Sequence, residues 1–577
     1  MDYLNKLSNP NGPIHNAVDL IQKLPITNRL TDMYKRSSKN ELYFVGAATF
    51  ITLYNLTSYI QEKRQKLNLP PTVPFGLPFL GHGLYLLFMP KTFLDWCNNR
   101  YGEVYNLKAR GKIFTVTNGT CGEESLKADR DDLSLDHGLV RDTLYFHYVF
   151  EPRILEVGTE ITTRVAKIAV ASSTMPRYVS GIQKGLEAAQ AYLLKEKVNV
   201  LDHPSPFFQR FVSFMSVPTL LGEEFASNIE VIESFASFTG DIIRNIPVFM
   251  LVPTFLHRPL LPYIQSPKKH HAIMEKHISP VVRQRREIMR LAKEAGEDHG
   301  FEQTFLQGLI EYTDADTNEY KYSDKEVAHG VLMLAFVSAH TTSTNLSYCI
   351  YWLLARPDLM ERMMAEIESV APGNTPIDVE VLNKMTFLNN FMREVLRQGA
   401  SNLGVGKKAM EDFTFSNGYQ VPKGRMVESS TRQLNFGTNS IRSEVEEMDP
   451  DMSKNRIATT PARDYISFGR FFATQEIKMS LIYLLRNFDI KTVNGKKPTP
   501  MKRIAGTRIT NIDNLRNICL ARKMFVSSCC STEMGLEARG KRQDADMTTN
   551  EDESNNVSTK FNYRIGPLKR SRALVKD

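Results

Sequence analysis

Cysteine is scarce in this chain and is not arranged for any familiar use. The 6 cysteines, Cys97, Cys121, Cys349, Cys519, Cys529 and Cys530, form no CxxC pair and no metal-ligand spacing. That argues against a zinc module or a disulfide framework and reads as free thiols in a reducing compartment. Charge of one sign is never concentrated: 72 Lys and Arg against 64 Asp and Glu leave a formal +8, spread along the chain. Such a spread indicates no nucleic-acid partner. A solvated basic surface facing an anionic membrane or an acidic redox partner accounts for it. Tryptophan is limited to Trp96 and Trp352, and the stretch from Thr92 to Asp489 holds neither an internal repeat nor a low-complexity linker.

What is present is an ordinary globular composition, 42% hydrophobic, 10% aromatic and 24% charged, in 577 residues, enough to bury a large core. Residues 1–41 are polar, with no sustained period. Residues 42–60, from Leu42 to Ile60, carry no charge and are long enough to cross a bilayer. Lys63, Arg64 and Lys66 follow directly, as at the cytoplasmic end of an anchor. A buried core helix is the other reading of that run. The polar residues ahead of it argue against a cleaved signal peptide.

Residues 61–91 contain these basic residues and then Leu69-Pro-Pro-Thr-Val-Pro-Phe-Gly-Leu-Pro-Phe-Leu-Gly-His-Gly83. Prolines at this density exclude a helix and predict a stiff, extended hinge. Residues 92–505 are predominantly helical in pattern, with the 3.6-residue period clearest over 267–294 and 358–370. One hairpin is expected, Phe413-Thr-Phe415 and Tyr419-Gln-Val421 around Ser416-Asn-Gly418. Residues 506–577 change in composition, and 531–560 are rich in Asp, Glu, Asn, Ser and Thr, as expected of a partly disordered tail.

Three stretches carry chemistry. Ser323-Asp-Lys-Glu326 is a capping box opening the run Val327 to Ala339, which is apolar on nearly every face. Such a helix has to pass through the middle of the molecule. It turns polar without stopping at Ser338-Ala-His-Thr-Thr-Ser343, where buried hydroxyls need a carbonyl one turn earlier. Next, Phe387-Leu-Asn-Asn-Phe-Met-Arg-Glu-Val-Leu-Arg397 sets Glu394 and Arg397 three apart on one helical face, among apolar neighbours. Last, Asp464-Tyr-Ile-Ser-Phe-Gly469 runs straight into Arg470-Phe-Phe-Ala-Thr-Gln-Glu-Ile-Lys-Met-Ser480.

In their order and spacing, the anchor, proline hinge, threonine-notched helix, Glu-x-x-Arg pair, hairpin and Phe-Gly loop resemble the cytochrome P-450 superfamily. The likeness is to its fungal-type, membrane-anchored haem-thiolate monooxygenases and covers residues 42–495. It implies a mainly α fold with a small β-rich region, the cytochrome P-450 fold, around a haem b cofactor. It further implies oxidation of a lipophilic small molecule with dioxygen, using electrons from an NADPH-cytochrome reductase-type donor. The implied location is the endoplasmic reticulum membrane, with the catalytic domain facing the cytosol.

Residue by residue, the resemblance implies that Thr341 and His340 relay protons beside Ser338, with His340 standing where the family commonly has an acid. A buried helix with self-satisfied threonines accounts for the same motif. Glu394 and Arg397 become a structural core pair that bonds to a further arginine, for which Arg456 is a candidate. Phe468 and Gly469 become the start of the haem-binding loop. The family's Trp-x-x-x-Arg propionate motif is missing, which leaves Lys407, with Lys408, to pair with a propionate or to be solvated surface lysines. The apolar, Pro-broken stretch Phe249–Tyr263 is expected to be a channel lid touching the membrane.

One departure separates the fold from the activity. No cysteine stands between Gly469 and Arg470, where about eight residues of the family pattern are absent, and no metal ligand can be named. Cys519 resembles the ligand superficially but is not followed by the expected helix. Thiolate donation favours O–O cleavage, so three readings follow. The chain is a monooxygenase, or a non-catalytic membrane-bound protein of the same fold that holds a hydrophobic ligand, or a coding sequence mis-joined at an exon boundary.

Overall fold

The computed structural model describes residues 66–523, apart from 78–79, 110, 156–164, 166–168, 170–171, 202–203, 253, 265, 315, 400–402, 437–447, 454–469, 494, 496–497 and 499–517. The run 42–60, Arg456, Phe468, Gly469 and the stretch 531–560 therefore lie outside the described residues. The described α-helices longer than two turns are α1 (Pro90–Tyr101), α2 (Gly119–Lys127), α3 (Met175–Leu193), α4 (Pro204–Leu221) and α5 (Ile229–Leu251). They continue with α6 (Ser266–Ala295), α7 (Asp324–Ala355), α8 (Pro357–Val370), α9 (Thr386–Gln398) and α10 (Arg470–Asn487). The periodic stretches of the sequence are α6 and α8, close to their expected bounds.

α7 organises this set. Its capping box forms as expected: the Glu326 amide donates to Ser323 Oγ at 3.3 Å, and the Ser323 amide donates to Glu326 Oε2 at 2.9 Å. From there Val327 to Ala335 is buried without interruption, because α4, α5, α6 and α10 all pack directly on this helix. The mainly helical fold expected from the sequence is the one present.

The β-structure is small. One sheet has the order β1 (Val104–Ala109), β2 (Lys112–Thr117), β8 (Met426–Ser429), β5 (Val405–Ala409) and β3 (Leu133–Ser134). Only the β2–β8 pairing in it is parallel. The expected hairpin is β6 (Phe413–Thr414) with β7 (Gln420–Val421), its turn closed by Gly418 at φ 84°, a left-handed value that glycine adopts without strain. The third sheet has the order β4 (Val198–Leu201), β10 (Ile518–Arg522), β9 (Phe488–Thr492).

Segments on both sides of residues 92–505 are bonded to the helical body. The proline-rich hinge is extended, yet it is docked rather than free. The Val73 amide donates to the Asn106 carbonyl at 3.0 Å, and the Asn106 side-chain amide donates to the Pro70 carbonyl at 2.8 Å. Gly81 fits only because it has no side chain: a Cβ there would stand 2.0 Å from the Lys108 carbonyl oxygen. Next to it His82 is fully buried, with its two ring nitrogens bonded to the Pro74 carbonyl and the Lys108 amide. At the other end, β10 lies beyond residue 505 and is bonded to strands on both sides, so part of the expected tail belongs to the body.

The Glu394–Arg397 pair is buried, with residue exposures of 1% and 6%. Arg397 Nε and Nη2 donate to the two carboxylate oxygens at 2.9 and 2.6 Å, and the Asp449 amide adds a bond at 3.3 Å. A bidentate pair that ties a helix to the turn at Pro450–Ser453 holds the layout of this end of the core. Glu394→Ala is expected to destabilise the fold by about 3–5 kcal/mol, since it removes the bidentate carboxylate partner of a buried guanidinium. Urea unfolding with a midpoint equal to the parent's would contradict that.

Candidate functional site

The polar notch of α7 is where structure and chemistry meet. Four hydroxyls in and just after it bond back to carbonyls one turn earlier: Ser338 to Leu334 at 2.9 Å, Thr341 to Val337 at 2.7 Å, Ser343 to His340 at 3.1 Å and Ser347 to Ser343 at 2.8 Å. Thr342 and Thr344 do not; their hydroxyls are buried without a hydrogen-bond partner. α7 nevertheless runs unbroken through the notch.

One face of this buried helix stays open. Val337 is 48% exposed, and Thr341, one turn on, is exposed as well, whereas Ala339 and Thr342 between and beside them are buried. With its own proton given to the Val337 carbonyl, the Thr341 oxygen has lone pairs left to accept from a group lying against this face.

His340 turns elsewhere. Its Nδ1 lies 3.3 Å from Gln209 Nε2 on α4, and no described hydrogen bond joins it to Thr341. Burial holds its pKa below the ordinary imidazole value, so the ring is neutral at pH 7. The two residues expected to act as one relay are thus adjacent in sequence but bonded to different elements. Gln209, which sets the orientation of His340, carries no sequence signal, because the contact joins two helices far apart in the chain.

Lys407 is engaged within the protein. Its ammonium donates to the carbonyls of Leu126 and Ala128 at 2.9 and 3.1 Å, which closes the C-terminus of α2. Burial pulls its pKa down to about 8. A lysine so engaged serves the helix end. Lys408 is paired with Asp142 at 2.8 Å.

The chain belongs to the cytochrome P450 family: the family model described as Cytochrome P450 matches residues 70–435. It is 25% identical to cytochrome P450 monooxygenase 151 of Postia placenta over 425 residues, 69% of this chain and 82% of that protein. It is 26% identical to cytochrome P450 monooxygenase BOA4 of Botryotinia fuckeliana over 390 residues, 63% of this chain and 75% of that protein. A solved structure described as retinoic acid bound cyanobacterial CYP120A1 shares the fold, with a TM-score of 0.58 at 19% identity over 80% of this chain and 100% of that one.

Membership implies a haem cofactor, and the residues present fit it on one side only. The open Val337–Thr341 face suits a flat, largely apolar group. Among the described residues no cysteine suits the iron. Cys97 and Cys121 are buried, and burial pushes both thiols up to about 12, away from the thiolate form that a ligand requires. Cys349 is buried in α7 and its thiol is also shifted up. Cys519 lies within β10. The chain has no other cysteine before Cys529.

The Lys407 assignment is open to a direct check. Lys407→Met removes both bonds to the end of α2 and is expected to cost about 1–3 kcal/mol of stability in urea unfolding. An unchanged midpoint would return Lys407 to the pool of free surface lysines.

Proposed function

We propose that the protein is a monooxygenase in architecture, built to oxidise a lipophilic small molecule with haem b and with electrons from an NADPH-dependent reductase. We propose also that the chain with Gly469 joined to Arg470 does not perform thiolate-dependent oxygen activation. One observation carries both halves: α7 keeps its open Val337–Thr341 face, while no cysteine occurs between Cys349 and Cys519. A bound haem supplies the activation of dioxygen in this family. In this chain, Thr341 offers an acceptor oxygen on the open face, and neutral His340, held by Gln209, is placed to hold or pass a proton at its ring nitrogens.

The reduced, carbon-monoxide-bound spectrum tests this reading. The unmodified chain is expected to give no thiolate signature. A loop of about eight residues with Gly, Arg and Cys at family spacing, inserted between Gly469 and Arg470, is expected to restore it. A thiolate spectrum from the unmodified chain would place the proximal ligand elsewhere, with Cys519 the first residue to substitute. No spectrum even after insertion would favour the non-catalytic, ligand-holding protein.

Attachment to the endoplasmic reticulum, with the catalytic body on the cytosolic side, is part of the same proposal. Among the described residues no helix is long and apolar enough to cross a membrane. Support comes from the uncharged run 42–60 and from exposed apolar side chains in two stretches. Phe75 (76%) and Phe88 (74%) lie near the hinge, and Phe255 (78%) and Tyr263 (81%) lie in the Pro-broken segment. Deleting residues 1–66 is expected to shift the protein from the membrane fraction towards the soluble one. A truncated chain that stays wholly membrane-bound would move the anchor to the exposed side chains.

A further inference from the structure

The proline-rich segment is attached to β1 at two places, and the two differ in chemistry. Upstream, the Asn106 amide donates to the Pro71 carbonyl at 2.9 Å, and the Val73 amide donates to the Asn106 carbonyl at 3.0 Å. No ionisable side chain takes part there. Downstream, the His82 amide donates to the Lys108 carbonyl at 2.6 Å, and the Lys108 amide donates to His82 Nδ1 at 3.0 Å. The other ring nitrogen, Nε2, lies 3.0 Å from the Pro74 carbonyl.

These backbone partners fix the protonation state of the ring. A peptide N–H only donates and a carbonyl only accepts, so Nδ1 must be bare and Nε2 must carry the proton. A second proton, on Nδ1, sets N–H against N–H and breaks the bond to Lys108. The ring has little room to step aside. It is fully buried and stacked on Phe93 of α1, with centroids 5.6 Å apart and planes at 25°. On another side Gly76 is so close that a Cβ there would stand 3.3 Å from His82 Cε1.

The side chains facing the ring do not hold a charge on it. Lys108 of β1 opposes a second positive charge, while Tyr85 of the short helix Gly83–Phe88 and Phe93 of α1 bring none. Burial, the largest effect, lowers the pKa of His82 below the ordinary imidazole value of 6.5. A ring whose pKa is lower docked than released favours docking fully above 6.5, and progressively less as the pH falls below it. Phe75, between the two attachments, adds strain that release relieves. Its φ is 68°, a left-handed value that residues other than glycine seldom adopt.

We propose that His82 is an acid-released clasp: a second proton on its ring detaches the downstream end of the proline-rich segment from β1, while the upstream attachment holds. The segment, with the exposed side chains of Phe75 and Leu80, then pivots on residues 70–73 instead of lying fixed on the body. The inference rests neither on haem nor on the oxidation chemistry.

Residue-resolved amide hydrogen exchange of the full chain in detergent, expressed as protection factors between pH 7.5 and pH 5.0, tests the proposal. The Asn106 amide, bonded to Pro71, is the internal reference for the Lys108 amide. Protection of Lys108 is expected to fall at least about tenfold relative to Asn106 as the pH drops. His82→Asn keeps an acceptor oxygen near the position of Nδ1 and does not titrate, so its ratio is expected to change by less than about twofold. A constant ratio in the parent, or an equal fall of both amides, would overturn the clasp, as would a fall of about tenfold that survives in folded His82→Asn. If that variant fails to fold, NMR of the parent with isotope-labelled histidine decides. A His82 ring neutral at pH 7, with its proton on Nε2, is expected; a ring charged at pH 7 or protonated on Nδ1 would sink the idea.

Discussion

Everything in this fold answers to one demand: a helix of 32 residues must be buried along most of its length and yet keep one face open. Burial comes from α4, α5, α6 and α10, which pack on α7 directly. The open face comes from the notch, where Val337 and Thr341 are left uncovered one turn apart. Holding an unbroken helix in this state has a cost, visible in the unpartnered hydroxyls of Thr342 and Thr344. Apolar residues of similar size would have packed there without that cost. A polar notch in a buried helix is therefore a concession of stability to whatever lies against it.

The features legible in the sequence were those whose partners lie within one or two turns of chain. The capping box of α7, the amphipathic period of α6 and α8, the hairpin of β6 and β7 and the Glu394–Arg397 pair all depend on fixed short spacings. The features that were not legible depend on partners far along the chain. Lys407 reads as a surface lysine or a propionate partner until the C-terminus of α2 is seen beneath it. The hinge reads only as a stiff, extended connector until Asn106 is seen to bond its backbone. The contact of Gln209 with His340 is likewise a product of packing, which no local pattern encodes.

α10 is buried soon after it begins, and this limits how the proximal side can be arranged. Glu476 is fully buried and its carboxyl is pushed up to about 8 by desolvation, so it sits neutral in the core. It accepts a hydrogen bond from Ser216 Oγ of α4 at 2.6 Å. Phe472 packs edge-on against Tyr178 of α3. Sliding α10 along its axis to release more loop would break both contacts and expose or charge Glu476. The helix after the Gly469–Arg470 junction is therefore fixed in register, and its first turn is not available as loop.

The same reasoning excludes recruiting a thiolate from the cysteines in the described residues. Cys97 and Cys121 belong to small packed cores beside the five-stranded sheet, and their thiols are held in the neutral form by burial. Cys349 is part of α7 itself and is fully buried. Cys519 is registered against Val200 on one side and Lys491 on the other, so freeing it would dismantle the central strand of the three-stranded sheet. Each substitute ligand requires unmaking an element on which the rest of the fold is built. With α10 fixed on one side of the junction and these thiols fixed in place, none of the four cysteines among the described residues becomes a ligand without such unmaking. A short insertion at the Gly469–Arg470 bond leaves every one of these elements in place, which is why it is the change proposed to join this fold to thiolate chemistry.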